Sequence, residues 1–392
     1  MRRVAVLGGG PAGAHAAEKL ASAGLDTLLI DEKLAWEKPC GGGITYKAYK
    51  QYPFLIENST PKTVVSKTYL EAPGAGRACM DLTQPLLIYS RFELNKLLLG
   101  RAEAAGARIE KARVTEMRRT SRGWEIRTPS GSLDADFCVV ATGARNPLRG
   151  AGTAWTASDT MVALGYWVPE QRSDIDIRFL KGLEGYIWVF PRPGHLSVGI
   201  CGKGEPAAQL RLRLETYMDE SGISRKQARF YAHMLPALDK NSWTSNRVSG
   251  DGWLAAGDAA GLVDPITGEG LYYAIRSGDL ASQIILNEAH EPSAKPAAYR
   301  ALLDRDFSRD LYLASLLARH VYLGKFLFDS VPARMVQFVR RSPRFRALMQ
   351  DLFAGTQNYA TLRDRLMRNL NGTLQEVLMS FFFRRLLPEG GG

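Results

Sequence analysis

The tightest constraint on the fold lies at the N-terminus, where a glycine-rich turn joins a short apolar strand to a helix. The turn, residues 8–13, reads Gly-Gly-Gly-Pro-Ala-Gly; it follows the apolar run 4–7 and opens the alanine-rich stretch 11–24. A second apolar run, residues 26–31, ends in an aspartate. This strand–helix–strand unit of about 30 residues predicts parallel strands joined by a crossover helix, and therefore an α/β fold.

Each glycine of this turn has a physical reason. Gly8 permits the tight turn, Gly10 lets the backbone approach a pyrophosphate at the helix N-terminus, and Gly13 lets helix and strand pack closely. The carboxylate of Asp31 can accept hydrogen bonds from ribose hydroxyls, and an acid at this position disfavours a 2′-phosphate. The turn therefore predicts a site for FAD or NAD and not for NADP.

A second glycine-rich signal lies far along the chain, at 257–261 and 264–270. Asp258 follows an apolar strand and can hold the ribityl hydroxyls of a flavin. The helix that follows can place backbone N–H groups at the flavin N1/O2 edge. Because NAD needs nothing of this kind, the two signals together select FAD.

Length and composition limit the protein class. The 392 residues predict two to three domains at roughly 150 residues each. Hydrophobic residues make up 45% and charged residues 23%, and no apolar run approaches the length of a spanning helix. The four cysteines form no C-x-x-C pair and the histidines are scattered, so the sequence predicts no metal site and a reducing, cytoplasmic location.

The order of predicted elements indicates an interrupted nucleotide domain. Its halves, residues 1–150 and 245–290, enclose a β-rich substrate domain at 151–244, within which residues 205–235 are predicted to be helical. A helical region follows at 291–392, with expected breaks at Pro332, Pro343 and residues 369–372.

Three further motifs carry a family resemblance. They are Arg91-x-x-Leu94, the segment Pro39-Cys40-Gly41-Gly42-Gly43, and Tyr186-x-Trp188-x-Phe190-Pro191. With the two glycine-rich signals, they resemble in order and spacing the FAD-dependent oxidoreductases built on the para-hydroxybenzoate hydroxylase and glutathione reductase plan. The last two motifs resemble those of the geranylgeranyl reductases. The resemblance covers about residues 1–290, and the remaining tail matches only in being helical.

The resemblance implies a Rossmann-like FAD-binding domain with an inserted β-rich domain and a helical C-terminal region. It implies that Cys40 and the glycines after it line the reacting face of the flavin, and that Cys40, Tyr186 and Trp188 are catalytic. The predicted cofactor-binding residues are Gly8, Gly10, Pro11, Ala12, Gly13, Asp31, Cys40, Gly41, Arg91, Val114, Gly143, Asp258, Pro265, Gly268 and Gly270.

The implied activity is the reduction of C=C bonds in a geranylgeranyl or other polyprenyl chain of a lipid, pigment precursor or menaquinone. Tyr186, Trp188 and Phe190 alternate, so they share one strand face, and an apolar wall there suits an isoprenoid. An isolated alkene accepts hydride poorly, so the reaction needs a positioned acid in a dry pocket. Tyr186, Cys40 and a bound water are the alternatives for that acid.

Two other functions stay open at this point. One is a flavin-dependent monooxygenase or halogenase acting on an aromatic compound, and the other is an FAD-bound electron-transfer or interaction protein. Residues 141–146 read Ala-Thr-Gly-Ala-Arg-Asn where the wider superfamily has an Asp-Gly pair, which disfavours direct NADPH use and the hydroxylase interpretation. The electron donor is NAD(P)H or a ferredoxin-like carrier.

The net charge of +11 lies mainly in the tail, where residues 300–392 hold 15 basic and 8 acidic side chains. These charges alternate with apolar clusters at 321–328 and 379–387. Basic amphipathic helices suit an anionic membrane surface, and the alternative is helices packed on the core with solvated basic faces. The sequence therefore predicts no nucleic-acid partner, and peripheral contact with the inner face of the cytoplasmic membrane is the finer expectation.

Overall fold

A computed structural model describes residues 3–148, 150–154 and 156–386. The strands, in chain order, are β1 Arg3–Leu7, β2 Asp26–Asp31, β3 Gly43–Ile44, β4 Lys62–Ala72, β5 Gly76–Tyr89, β6 Arg108–Lys111, β7 Glu116–Thr120, β8 Gly123–Thr128, β9 Gly131–Ala135, β10 Phe137–Val140, β11 Thr160–Val168, β12 Ile175–Phe179, β13 Glu184–Arg192, β14 His195–Lys203, β15 Arg229–Pro236, β16 Ser249–Gly250, β17 Trp253–Ala255, β18 Lys325–Phe326 and β19 Asp329–Ser330.

The helices account for most of the remaining chain, including its C-terminal quarter. They are α1 Pro11–Ser22, α2 Tyr46–Gln51, α3 Phe54–Glu57, α4 Arg91–Ala104, α5 Ala207–Glu220, α6 Lys240–Ser245, α7 Leu271–Leu286, α8 Lys295–Leu303, α9 Arg309–Leu323, α10 Val331–Arg341, α11 Pro343–Ala354 and α12 Tyr359–Leu386. In the part of the chain that is described, none of them is long and apolar enough to span a bilayer.

The first sheet has the strand order β16-β17-β10-β1-β2-β6. Strand β1 pairs in parallel with β2 and with β10, and β10 pairs in parallel with β17. The parallel pairing follows from the apolar run of β1, whose residues 4–7 are buried, because strands covered on both faces read as continuous apolar stretches. The predicted α/β class and Rossmann-like sheet are confirmed.

Helices α1 and α7 pack closely through small residues. A Cβ at Gly278 of α7 would lie 2.3 Å from the backbone oxygen of Ala12, and a Cβ at Gly257 would lie 3.1 Å from the Ala12 Cβ. This contact sets the segment after β17 against the start of α1, although the two are about 245 residues apart. The two glycine-rich signals of the sequence are therefore neighbours.

The second sheet has the order β15-β11-β14-β13-β12-β4-β5-β3. It takes β4 and β5 from residues 62–89, which the predicted domain limits place in the nucleotide domain. The link is a parallel pairing of β12 with β4, in which Ile177 is opposite Leu70. Because this pairing joins strands about 100 residues apart, local periodicity carries no signal for it.

The helical prediction for residues 205–235 is half wrong. Helix α5 ends at Glu220, and β15 then pairs antiparallel with β11, with His233 opposite Ala163. The sequence of β15 is short and rich in aromatic and apolar residues, and such runs do not separate helix from strand by periodicity. Residues 229–236 form a strand because they pair with β11 at the edge of the second sheet.

The C-terminal helices cover the second sheet. Val336 and Val339 of α10 and Leu348 of α11 share a hydrophobic cluster with Leu70 and Met80 of the sheet. The aromatic cluster predicted at 379–387 lies outside the described side chains. The region 291–392 therefore does not stand apart from the β-rich domain where it is described.

Two of the predicted breaks in this region are helix starts, and one is absent. Pro332 and Pro343 lie in the first turns of α10 and α11, where the missing N–H costs nothing. Helix α12 runs through residues 369–372 without interruption. Asparagine and glycine cost only about 1 kcal/mol or less each inside a helix, which packing against α9, α10 and α11 outweighs.

Gly13 tests the close packing at the start of α1. A Cβ there would lie 1.9 Å from the Gly8 carbonyl oxygen, so we expect Gly13→Ala to lower the free energy of unfolding by about 2–3 kcal/mol. Gly100→Ala in α4 is the matched control, since its Cβ would meet nothing within 4 Å and should stabilise the helix by about 0.5–1 kcal/mol. Urea denaturation of both variants measures the difference, and equal effects would contradict the packing described.

Candidate active site

The turn between β1 and α1 is closed on the protein side and open in front of the helix. Gly8 has φ +113°, and a Cβ there would lie 2.2 Å from the Ala141 carbonyl oxygen. A Cβ on Gly10, by contrast, would meet nothing within 4 Å. Gly10 precedes Pro11 as the N-cap of α1, so the free space faces backbone N–H groups of a helix N-terminus. This is the geometry that a pyrophosphate requires.

Asp31 lies at the end of β2, beside this turn. Its Oδ2 accepts a 2.8 Å hydrogen bond from the Gly9 N–H, and its Oδ1 accepts from the Lys33 and Leu34 N–H groups. A carboxylate has about four acceptor positions, so one remains for a sugar hydroxyl. The Ala112 N–H donates to the Asp31 carbonyl oxygen, and Val114, two residues further on, is buried in the core of this domain.

Asp258 forms an ion pair with Lys38 at 3.1 Å. A Cβ on Gly270 would lie 3.7 Å from Asp258 Oδ1, so the two predicted positions are adjacent. Burial opposes ionisation of Asp258, but Lys38 and the nearby His233 outweigh it and lower the pKa of Asp258 below its usual value. The carboxylate is therefore charged and available to hydroxyl donors.

His233, which the sequence analysis did not single out, faces the same group of charges. Burial, together with Lys38, Arg145 and Arg91, lowers the pKa of His233 to about 4, although Asp258 acts in the opposite direction. Its buried Nε2 has no hydrogen-bond partner among the described residues. No local pattern marks this histidine, because its strand, β15, reaches the site only through the pairing with β11.

The loop 264–270 is organised by Asp264. The carboxylate Oδ1 accepts from the backbone N–H groups of Ile266 and Thr267, and Oδ2 accepts from the Tyr359 hydroxyl at 2.8 Å. The backbone adds bonds from the Asp264 N–H to the Glu269 oxygen and from the Gly268 N–H to the Asp264 oxygen. Pro265 is buried within this turn. The loop is thus held in one conformation before any ligand binds.

Two further tyrosines fasten the same loop from different elements. The Tyr186 hydroxyl on β13 donates to the Thr267 carbonyl oxygen at 2.5 Å, and the Tyr322 hydroxyl on α9 donates to the Ile266 carbonyl oxygen. A Cβ on Gly268 would lie 2.8 Å from the Tyr186 hydroxyl. The C-terminal helices therefore contribute to the site through Tyr322 and Tyr359, whereas the sequence placed the site within residues 1–290.

Glu269, at the end of this loop, was also missed by the sequence analysis. Its Oε1 accepts from the Tyr272 N–H at 2.8 Å, in the first turn of α7. Burial raises the pKa of Glu269 to about 7. The glycine motif 268–270 marks only the glycines on either side of Glu269. The Glu269 carboxyl group between them exchanges its proton near neutral pH.

Strand β13 presents an aromatic wall beside the loop. Tyr186, Trp188 and Phe190 pack in one hydrophobic cluster, whereas Ile187 and Val189 pack in another cluster on the opposite face of the sheet. The ring centroids of Tyr186 and Trp188 lie 6.1 Å apart, and Tyr186 stacks on Tyr322 at 6.4 Å. The alternation in the sequence therefore gives one shared face, which Tyr322 extends.

The segment after Lys38 is clamped by a buried arginine at the end of β13. The Arg192 side chain is fully buried, donates to the Cys40 carbonyl oxygen and to the Gly41 carbonyl oxygen at 3.3 Å, and pairs with Glu37. The Phe190 ring lies 3.3 Å from the position that a Cβ on Gly41 would take. Cys40 and Gly41 are thereby fixed against the aromatic wall.

Glu37 links this clamp to α4. Its carboxylate accepts from the Arg91 N–H at 2.9 Å and from the Ser90 hydroxyl, so it caps the helix N-terminus. Burial opposes ionisation of Glu37, but Arg192 together with the hydrogen bonds from Ser90 and the Arg91 N–H outweighs burial and lowers the pKa of Glu37. No sequence motif marks Glu37 or Arg192 as an ion pair.

A second anchor for Cys40 comes from β14. The Ser197 hydroxyl donates to the Cys40 carbonyl oxygen at 2.9 Å and lies 2.9 Å from the Tyr231 hydroxyl. The indole N–H of Trp188 donates to the same serine at 3.3 Å. The Trp188 ring is thereby anchored to the same serine that holds Cys40.

The residues fit FAD on two observations of this structure. Arg91 is 3% exposed and donates to Asn95 Oδ1 at 3.2 Å, yet its buried Nε has no partner among the described residues. A buried charged donor without a partner is costly, and an anionic group would satisfy it. The open spaces at Gly10 and Gly143, where a Cβ would meet nothing within 4 Å, leave room for a dinucleotide.

Comparisons with known proteins agree with this geometry. The profile of the pyridine nucleotide-disulphide oxidoreductase family matches residues 2–160. The chain is 28% identical to a menaquinone reductase of Mycobacterium tuberculosis over 92% of both chains. It is also 28% identical to a chloroplastic geranylgeranyl diphosphate reductase of Nicotiana tabacum, over 72% of this chain and 66% of that one. These similarities confirm the resemblance predicted from the motifs and the expected FAD cofactor.

Solved structures show the same fold. A geranylgeranyl bacteriochlorophyll reductase-like protein of Thermoplasma acidophilum superposes with a TM-score of 0.76 at 21% identity, covering 95% of this chain and 99% of that one. A flavin-dependent brominase superposes with a TM-score of 0.67 at 17% identity, covering 94% and 99%. The architecture is thus shared by flavoenzymes of different chemistry.

A substitution at Gly10 should change FAD affinity without changing the stability of the fold. We expect Gly10→Val to leave the thermal unfolding temperature of the FAD-free protein nearly unchanged, because no protein atom lies within 4 Å of the new Cβ. The same substitution should weaken FAD binding about tenfold or more, because the side chain occupies the approach to the pyrophosphate. Fluorescence titration with FAD measures the affinity, and an unchanged dissociation constant would contradict this placement.

Proposed function

We propose that this chain, an FAD-dependent oxidoreductase similar to the geranylgeranyl reductases, reduces C=C bonds in the polyprenyl chain of a hydrophobic substrate. The observation that carries the proposal is the aromatic wall against the loop 264–270, in which Trp188 and Tyr322 are buried and Tyr186 is partly buried. Names of the relatives, geranylgeranyl and menaquinone reductase, support the same substrate class.

We assign the predicted cofactor residues to separate parts of the FAD molecule. We assign the pyrophosphate to the turn at 8–13 and to Arg91, the adenosine ribose to Asp31 beside Val114, and the ribityl chain to Asp258. Cys40 and Gly41, together with the loop that contains Pro265, Gly268 and Gly270, would hold the flavin ring, and Gly143 would line the dinucleotide. Support comes from the open space at Gly10 and the unpartnered Nε of Arg91.

When bound and reduced, FAD supplies a hydride to one alkene carbon, and an acid supplies a proton to the other. The chain holds the alkene in a dry, aromatic pocket and keeps Cys40 in place through Arg192 and Ser197. Burial raises the pKa of Tyr186 well above its usual value, so its hydroxyl stays protonated at neutral pH. In this role Tyr186 or Cys40, or a water held between them, delivers the proton.

The electron donor and the location are part of the same proposal. We assign re-reduction of the flavin to NAD(P)H or to a ferredoxin-like carrier. A polyprenyl lipid resides in membranes, so a cytoplasmic protein with a basic C-terminal region would meet it at the inner face of the membrane. The +7 charge of residues 300–392 supports this contact.

An anaerobic turnover experiment tests the reaction. The FAD-loaded protein is reduced with dithionite and mixed with geranylgeranyl diphosphate or menaquinone in detergent. The products are then re-oxidised in air, which returns any quinol to the quinone, and analysed by mass spectrometry. We expect a mass gain of two hydrogens per reduced bond and re-oxidation of the flavin. No gain with either lipid, together with NADPH oxidation stimulated by a small aromatic compound, would favour the monooxygenase or halogenase alternative.

Two substitutions test the assigned roles within this reaction. Cys40→Ala and Tyr186→Phe should each lower turnover by about tenfold to a hundredfold, the range of a lost proton donor or a misplaced substrate. Neither should release FAD, because the dinucleotide contacts lie elsewhere. Flavin absorbance after gel filtration monitors retention, and Cys79→Ala, an exposed free cysteine, is the matched control. Full activity in both variants would remove these residues from the catalytic set.

A further inference from the structure

An exposed apolar surface lies at the end of α9 and on the hairpin that follows it. Six of the thirteen exposed large hydrophobic side chains in the described part of the chain fall within residues 316–328, which we name the hairpin patch. Its members are Leu316, Leu317, Leu323, Phe326, Leu327 and Phe328. Monomeric proteins seldom group exposed apolar residues in this way without an interaction partner.

The tip of the hairpin presents its side chains at a conformational cost. Strands β18 and β19 pair Phe326 with Asp329, which leaves Leu327 and Phe328 as the two-residue turn. Both have positive φ, +47° and +68°, a conformation for which such turns normally use Asn-Gly. Phe328 is fully exposed. A bulky apolar pair therefore occupies an exposed turn whose backbone conformation disfavours such residues.

The hairpin is braced and not loose. The Arg334 guanidinium donates to the Phe326 carbonyl oxygen at 3.3 Å and to the Leu327 carbonyl oxygen. The Phe326 ring meets Phe338 edge-on at 6.3 Å. These contacts fix the hairpin against α10, while the Phe328 side chain remains fully exposed.

The charge of the hairpin patch favours one partner. Residues 316–328 contain Arg319 and Lys325 and no aspartate or glutamate; Asp329 follows directly in the hairpin, and Arg334 contacts the hairpin from α10. Apolar side chains flanked by cations match the interface of an anionic bilayer, where rings and leucines enter the acyl boundary and cations meet headgroups. The same segment carries Tyr322, whose ring stacks on Tyr186 in the site. The surface and the substrate wall thus share one helix end.

We propose that the hairpin patch is the membrane-docking element of this protein, with Phe328 and Leu327 inserted into an anionic lipid bilayer. The inference rests on the proposed function in one respect, since a membrane-dissolved polyprenyl chain would enter the site beside α9. It goes beyond that function by assigning the contact to residues 316–328 and not to the basic tail as a whole.

The test uses FAD-loaded full-length protein and flotation with vesicles of phosphatidylcholine alone or mixed with phosphatidylglycerol. We expect binding to the mixed vesicles that weakens with salt, and an about tenfold lower partition coefficient for Phe328→Asp. Leu212→Asp on α5 is the matched control, because Leu212 is 65% exposed outside the patch, and it should bind as the wild type does. Equal losses in both variants, or none in Phe328→Asp, would overturn the proposal.

A second variant keeps the proposal testable if the charged one misfolds. Replacing the turn with Asn-Gly, as Leu327→Asn with Phe328→Gly, relieves the positive-φ strain and should raise the unfolding temperature while lowering vesicle binding. Retained binding would overturn the proposal. So would a dimer of the wild type, seen by light scattering, that this variant dissociates, because a second copy would then cover the patch.

The activity readout separates this inference from the proposed function. Phe328→Asp should reduce a substrate dispersed in detergent at the wild-type rate and reduce the same substrate in vesicles about tenfold more slowly. If the protein binds vesicles through the patch but reduces no polyprenyl lipid, the proposed function fails and the docking element stands. If it reduces the lipid equally from vesicles and detergent in both forms, the docking element fails alone.

Discussion

The close contact between α1 and α7 is the constraint on which the rest of the structure depends. A Cβ on Gly278 of α7 would lie 2.3 Å from the Ala12 backbone oxygen of α1, and a Cβ on Gly257, which precedes α7, would lie 3.1 Å from the Ala12 Cβ. This contact places the segment after β17 against the N-terminus of α1, beside the open space at Gly10. Every later feature of the site, from Asp258 to the loop 264–270, is positioned relative to that helix pair. In such close packing, an added methyl group at one position forces the neighbouring backbone to shift, so we expect these positions to tolerate few substitutions.

On this frame, a second set of contacts builds the reacting end of the site. The buried Arg192 pairs with the partly exposed Glu37, and the two are hydrogen-bonded to the Cys40 segment and to the start of α4. Removing Glu37 would leave the buried Arg192 charge without its partner, at a cost of about 3–5 kcal/mol. Tyr186 and Tyr322 fasten the opposite loop through its carbonyl oxygens. Polar contacts thus hold both the Cys40 segment and the loop, on either side of the aromatic wall.

The residues assigned to the cofactor could be predicted from the sequence because they form one short strand–turn–helix motif, in which backbone geometry decides which residue types fit. Gly8, Gly10 and Gly13 report a turn, a helix start and a close approach within six residues, and Asp31 follows at a fixed distance. The substrate half could not be predicted to the same depth. His233 lies on a strand that the sequence pattern favoured as helix, and Tyr322 and Tyr359 come from a tail that carries no motif. Their positions depend on strand pairing and helix packing over long sequence separations.

By itself, the sequence determined the parallel sheet, the dinucleotide turn and the shared face of Tyr186, Trp188 and Phe190, since each follows from periodicity or from glycine stereochemistry in a short window. Only the tertiary structure decided that β4 and β5 join the second sheet, that the C-terminal helices close the site, and that a buried arginine holds Cys40. The physical reason is sequence separation. Backbone geometry depends on residues that are neighbours in the sequence, whereas burial and charge pairing depend on residues that come into contact only when the chain has folded.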